Sequence, residues 1–263
     1  MSSDRPTNVL VVGATGSIGT LVVAQALAAG YQVKALVRDR ERAAASLPAA
    51  AELVEGDLTR TDTLGEAVEG IDAVVFTHGS HGGPGQAERV DYGAVRNILQ
   101  ALGDRPARIA LMTAIGVTDR EGAYNRSTGA HDWKRRSERL VRASGRPYTV
   151  VRPGWFDYNT PRQLRLVMLQ GDTRHAGDSS DGVISRRQIA QVLVTALSSS
   201  AAQGKTFELV AENGPAPTDL EPLFSALRDD DPHALDAVLD TPNMPLDAEP
   251  AQVREDLDTV RRS

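Results

Sequence analysis

The sequence predicts an α/β fold, a doubly wound parallel sheet with a small C-terminal cap region, and three observations predict it. Short β-branched runs alternate with amphipathic segments as far as Arg152, the alternation that builds a parallel sheet from strand–helix–strand units. Glycines at 13, 16 and 19 follow the first run and open the first helical pattern. The chain has 263 residues, 41% of them hydrophobic, which suffices for one large core or one core with a small appendage but not for two large independent domains.

The first run, 8–12, reads as a strand, 17–29 as a helix and 32–37 as the second strand. Ile18, Leu21, Val22 and Ala28 would share one stripe of that helix, and Gly30 stops it. Further strands are expected near 51–54, 73–77, 108–112 and 148–151, with helical patterns around 62–68, 85–102 and 131–144 between them. Sheets of this kind bind ligands at the carboxyl ends of their strands, so function is sought in the residues just after each one. Beyond Arg152 the pattern becomes irregular. A domain over 1–212 is expected to include a substrate-side cap, about 155–212, with a helix at 186–199 and a strand at 206–211. Residues 213–263, where prolines lie among many acids, read as a C-terminal extension of short helices and extended turns packed on the same domain.

Val-Val-Gly-Ala-Thr-Gly-Ser-Ile-Gly at 11–19 runs from a strand into a helix, the context a dinucleotide needs. Gly13 permits the tight turn, Gly16 lets backbone approach a pyrophosphate, and Gly19 lets helix pack on strand. Thr15, Ser17 and Ile18 lie where the helix N-terminus offers free amides and a favourable dipole. This is the Rossmann arrangement. Arg38, at the end of the second strand, would meet the adenosine ribose, where a guanidinium favours the 2′-phosphate of NADP; Asp39 beside it keeps NAD as the less favoured choice. Asp57 and Leu58, in Gly56-Asp57-Leu58, are placed to meet the adenine, by hydrogen bond and by apolar contact. Thr77, His78 and Gly79 follow the fourth strand, and the small residues there let backbone lie against the cofactor. His78 and His81 lack a third ligand at a recognisable spacing, so no metal is expected.

These residues resemble the atypical short-chain dehydrogenase/reductases, in the NmrA-like and NAD(P)H-binding group. The resemblance runs from about residue 8 to 211 and rests on Gly-Ala-Thr-Gly-Ser-Ile-Gly at 13–19, Gly-Asp-Leu at 56–58, Val-Asp-Tyr-Gly-Ala-Val at 90–95, Ser-Gly-Arg-Pro-Tyr-Thr-Val-Val-Arg-Pro-Gly at 144–154, and Val-Ile-Ser-Arg-Arg-Gln-Ile-Ala at 183–190. It implies a single Rossmann domain with a small cap, and a cofactor held in part by Thr113, Lys134, Pro153 and Gly154. The family's reductases pair a proton-donating tyrosine with a lysine four residues on. Lys134 matches that lysine, but Ala130 stands in the tyrosine's place, and Tyr124, ten residues before Lys134, could reach only if the intervening chain folded back. His131 shares a helical face with Lys134 and carries an imidazole able to give a proton near neutrality. Its other reading is as the cap or start of a helix. Lys134 also opens the run Lys134-Arg135-Arg136, which would suit a solvated face. Thr113 stands where the family commonly carries a serine that positions a carbonyl, or simply forms a turn. Trp155 and Phe156 offer an aromatic wall for a flat acceptor, or core packing.

Composition closes off other classes. A net charge of −6, with basic residues scattered among acids, lacks the footprint nucleic acid demands. Cysteine is absent, which excludes disulfides, cysteine nucleophiles and thiolate metal sites and fits a cytoplasmic, reducing setting. Residues 1–8 have no apolar leader, and no stretch approaches the roughly 20 apolar residues of a membrane span. The expected function is hydride transfer from NADPH to a small carbonyl, quinone or flavin-like acceptor. The alternative is a non-catalytic NmrA-like redox sensor that binds NADP, with the acidic tail from Asn213 as its contact surface. A sugar-nucleotide epimerase or dehydratase would need the missing tyrosine. Family members are often monomers or homodimers, and the partner expected is a small-molecule substrate.

Overall fold

Strand and helix alternate along the chain because each apolar run is long enough to cross a sheet and each amphipathic segment covers it. The computed structural model describes residues 6–262; the leader expectation falls partly on residues 1–5, outside them. The elements run β1 (Asn8–Val12), α1 (Gly19–Ala28), β2 (Gln32–Val37), α2 (Arg40–Ala44), β3 (Glu52–Glu55), α3 (Gly65–Val68), β4 (Ala73–Phe76), α4 (Gly93–Leu102), β5 (Arg108–Met112), α5 (Ala123–Thr128), α6 (Ala130–Ala143) and β6 (Tyr148–Pro153). There follow β7 (Trp155–Phe156), β8 (Arg165–Leu169), β9 (Val183–Ile184), α7 (Arg186–Ala196), β10 (Lys205–Glu212), α8 (Glu221–Ser225) and α9 (Ala251–Arg261). The main sheet has the order β3-β2-β1-β4-β5-β6-β10-β8, parallel except where β8 pairs antiparallel with β10 at the edge; β7 and β9 form a separate two-stranded ribbon.

Both faces of the sheet are covered, which is why β1 and β4 at its centre are almost wholly apolar. Val9 and Val11 of β1 point to the core shared with α1 and α7, while Leu10 and Val12, one residue out of phase, join the core beneath α4, α6 and α9. Helix α1 starts at Gly19 rather than 17, because residues 13–18 stay in the turn, and it buries Val22, Val23 and Ala26. Leu21 is only half-buried and Ala28 is exposed, a correction to the expected stripe. The long helix expected over 85–102 is divided: Ala87–Tyr92 winds as a π-helix before α4 begins, burying Asp91 and Tyr92. A π-helical turn is rare and tends to mark a functional position.

The tail from 213 divides: Leu220 and Phe224 join the core shared with α1 and α7, and from Asp230 on it lies over α6. Val253, Leu257 and Val260 of α9 complete the core beneath α4 and α6. Its acids meet arginines that α6 and β6 bury: Asp236 holds Arg139 through a bond of 2.7 Å and also accepts from Arg135 at 3.1 Å. Glu249 accepts from Arg136 at 2.6 Å, and Asp230 and Asp240 face Arg142 and Arg152. This corrects one expectation and narrows another. Arg135 is fully buried and Arg136 nearly so, so the run after Lys134 is not a solvated face. The tail's Asp230, Asp236, Asp240 and Glu249 are committed to arginines of the same chain, because a buried guanidinium is tolerated only when paired, and they offer nothing to a partner.

Candidate active site

The strand ends converge on the first turn. Gly13 holds φ +83°, and a Cβ there would lie 2.6 Å from the backbone N of His78, at the end of the neighbouring strand β4. A Cβ on Gly19 would lie 2.0 Å from the Gly13 carbonyl oxygen. The turn closes with Gly16 N–H donating to that same oxygen at 2.9 Å. Thr15, Gly16 and Ser17 are exposed at the start of α1, open to a ligand. Ile18 differs from its neighbours: its side chain packs into the core, so only its backbone belongs to the exposed turn.

At the far end, Arg38, Glu55, Gly56, Asp57 and Thr63 line a cleft of about 410 Å³. Asp39, the competing residue for a ribose hydroxyl, spends its carboxylate capping α2, accepting from Arg42 N–H at 2.9 Å. Hydrogen bonds from the Thr59 N–H and hydroxyl hold the Asp57 carboxyl below the usual range. Leu58 is half-buried, and its carbonyl accepts from Asn97 Nδ2 at 2.7 Å.

After β4, Thr77 and His78 are buried supports of the turn. The Thr77 hydroxyl donates to the Val12 carbonyl at 3.1 Å, and His78 Nε2 lies 3.3 Å from the Asp91 carbonyl oxygen. Burial pushes the His78 imidazole down to about 4, leaving it neutral at ordinary pH. Gly79 is exposed. Among the described residues no group of three His, Asp or Glu is gathered as a metal would require.

The feature sequence reasoning missed is Asp91. The π-helical turn carries it to Lys134, whose Nζ donates to Asp91 Oδ1 at 2.6 Å. Ser80 donates to the same carboxylate through its N–H at 3.2 Å and its hydroxyl at 2.5 Å. Burial works to raise the Asp91 carboxyl, but the Lys134 charge and hydrogen bond, with Ser80, hold it below the usual range. An acid inside the apolar stretch at 90–95 was the available signal.

Thr113 departs from its expected role: it is buried, and its hydroxyl donates to Glu138 at 2.8 Å. With its proton committed there, it has none for a substrate carbonyl. His131 occupies the first turn of α6 without capping it. The chain does fold back at Gly129, φ +65°, turning α5 into α6 and laying the exposed Tyr124 ring on His131 with centroids 5.0 Å apart. Nδ1 of His131 has no hydrogen-bond partner, and burial lowers its pKa.

At the end of β6, Pro153 and Gly154 are buried, and a Cβ on Gly154 would lie 2.4 Å from the Gly182 carbonyl oxygen. Trp155 is 38% exposed and Tyr158 66%, in edge contact at 6.2 Å. Phe156 packs against the core. The exposed aromatic wall is thus Trp155 with Tyr158 rather than with Phe156.

A family model described as NAD(P)H-binding matches residues 13–200, from the glycine turn to just beyond α7. The chain belongs to the NAD(P)H-binding family. That membership fits the atypical, NmrA-like group the motifs resemble. Among its relatives, protein TIC 62 of Pisum sativum chloroplasts is 28% identical over 86% of this chain, and the chain spans about half of that relative, 47% of its length. Sanguinarine reductase of Eschscholzia californica is 27% identical, over 85% of this chain and 97% of its own. A solved Bacillus halodurans structure named for NAD-dependent epimerase/dehydratase chemistry superposes with TM-score 0.69 at 25% identity, over 84% of this chain and all of its own. The family's nicotinamide cofactor suits the residues present: the glycine turn is a cradle that added Cβ atoms would fill. No helix among the described residues is long and apolar enough to cross a membrane.

Proposed function

We propose that the protein is an NADPH-dependent oxidoreductase that passes hydride to a flat quinone or flavin-like acceptor, or to a small carbonyl. The carrying observation is that Lys134 is ion-paired with Asp91 while a buried alanine, Ala130, occupies the family's tyrosine position. A lysine so placed can hold a nicotinamide ribose, but the site lacks the tyrosine that would protonate an alkoxide. Quinones and flavins draw their proton from solvent and tolerate that loss. Trp155 and Tyr158 supply exposed aromatic surface on which a flat acceptor could stack. Sanguinarine reductase, a relative named for reduction, supports the same class. The cofactor supplies the hydride; Gly13, Thr15, Gly16, Ser17 and the backbone of Ile18 would hold its pyrophosphate, and Lys134, Pro153 and Gly154 its nicotinamide end. Residues 213–263 belong, in this reading, to the same folding unit as 1–212.

The test is titration with NADPH and NADH, followed by turnover assays with quinones, flavins and small aldehydes. Tight NADPH binding with turnover supports the reductase. Binding with no turnover on any acceptor would favour the second reading, a redox sensor, for which Ala130 is the favouring observation.

NADP is preferred to NAD in this reading because Arg38 lines the adenosine cleft while Asp39 is spent on α2. Replacing Arg38 by Ala is expected to weaken NADPH binding about tenfold and to leave NADH binding unchanged. Equal losses for both cofactors would remove the assignment of Arg38 to the 2′-phosphate.

A further inference from the structure

Ser17 does not stand alone at the glycine turn. Arg186, the first residue of α7, donates from Nε to the Ser17 hydroxyl at 3.0 Å, across a separation of 169 residues. Among the described residues it is the side-chain cation hydrogen-bonded to positions 13–19. The same guanidinium lies over the Phe156 ring, its Cζ 5.3 Å from the centroid, and pairs through Nη1 with Asp157. Asp157 adopts φ +59°, a turn that also sets its carboxylate to accept from the Arg186 N–H at 3.1 Å. Yet the Arg186 side chain keeps 34% of its surface exposed.

From this placement we infer that Arg186 is the pyrophosphate clamp of the cofactor site, reaching from the cap to the glycine turn. The inference rests on the proposed binding of NADPH. A pyrophosphate brings two negative charges to a turn whose own residues offer only N–H and hydroxyl donors. Lys134 is held by Asp91, and Arg38 lies at the adenosine end. Arg186 is already at the turn, restrained by Phe156 and Asp157, and a guanidinium presents a planar fork of donors matched to phosphate oxygens. Asp157 holds that fork in place and competes with the phosphate for it, so cofactor entry exchanges one anion for another instead of burying a new charge.

The experiment compares two ligands. NADPH carries the pyrophosphate joined to nicotinamide riboside; 2′-AMP carries the adenosine end alone. Both are titrated, by calorimetry and by nicotinamide fluorescence for NADPH, into wild type, Arg186→Gln and Arg186→Lys, with melting curves to verify folding. Arg186→Gln is expected to weaken NADPH about tenfold, the loss of one charge-assisted contact, and to leave 2′-AMP unchanged; Arg186→Lys restores part of the loss. Unchanged NADPH affinity in a folded Arg186→Gln protein overturns the inference, as does an equal loss of both ligands. Wild-type protein that binds neither ligand overturns the cofactor reading itself and this inference with it, an outcome distinct from the other two.

Discussion

Glu138→Ala is expected to lose about 3–5 kcal/mol of folding stability, the usual cost of removing one partner from a buried ion pair. Glu138 and Arg152 are both fully buried and joined by two hydrogen bonds, Nε to Oε1 at 3.0 Å and Nη2 to Oε2 at 2.7 Å. Asp240 accepts from Arg152 at 2.7 and 2.8 Å, and Glu208 at 3.3 Å. Glu138 also receives the Thr113 hydroxyl and faces Arg142, so its removal leaves that hydroxyl without its acceptor and takes a buried countercharge from two guanidinia, Arg152 of β6 and Arg142 of α6. Glu138→Gln keeps the shape and one acceptor and should lose less. Urea unfolding measures both, and a loss under about 1 kcal/mol for Glu138→Ala, within the range of an exposed ion pair, would contradict the assignment.

The two glutamates of this network titrate in opposite senses. Burial works to raise the Glu138 carboxyl, but Arg152 and Arg142 bring it to about 2 from an ordinary 4.5. Because its folded pKa lies below the unfolded value, its contribution is complete above pH 4.5 and disappears as pH falls toward 2. Burial raises Glu208 to about 7 from 4.5, with Asp172 and Asp240 adding to the shift against the pull of Arg152. Its protonated form is the one the fold favours, so its contribution is complete below pH 4.5 and is lost as pH rises to 7. Unfolding across that series should show Glu208→Gln flattening the upper window and Glu138→Ala flattening the lower one.

Much of the fold was legible in the sequence, for identifiable reasons. Strands β1, β4 and β5 are short, mainly apolar runs because helices cover both faces, and buried runs of that kind are hard to mistake. Strand β8 was not read, since Arg165-Leu166-Val167-Met168-Leu169 sits at the sheet edge with one partner and shows no strict alternation of apolar and polar residues. The tail's role was hidden for a different reason. Asp240 and Glu249 meet Arg152 and Arg136 across 88 and 113 residues, and a sequence in which acids and bases are counted separately reads such groups as solvated. Within the candidate site, glycine spacing carried the turn because only a missing Cβ fits at Gly13 and Gly19. Lys134 was legible by register with Ala130. Its anchor was not, because a π-helical turn changes which residue of 87–92 faces α6, and helical periodicity of 3.6 residues misplaces Asp91.

That anchor yields the largest expected effect on activity. Lys134→Ala is expected to lower kcat/KM about a hundredfold if the protein reduces its acceptor as proposed, since the residue would position the nicotinamide ribose next to the transferred hydride. Asp91→Asn should do nearly as much. Its carboxylate accepts from Lys134 Nζ and from both donors of Ser80, and an amide has only one acceptor oxygen and would turn an NH2 toward an ammonium or a hydroxyl. If Asp91 acts by positioning Lys134, the double variant Asp91→Asn/Lys134→Ala is no slower than Lys134→Ala alone, whereas independent roles would multiply the losses. His131→Ala separates the source of the proton. The His131 ring lies in tilted contact with Tyr124, with burial lowering its pKa, and solvent protonation of a quinone or flavin leaves turnover unchanged without it. A drop of His131→Ala turnover to the level of Lys134→Ala, on carbonyl substrates but not on quinones, would instead make the imidazole the stand-in for the family tyrosine. The substrate dependence of that one variant therefore decides between an acceptor that collects its proton from water and one that needs it from α6.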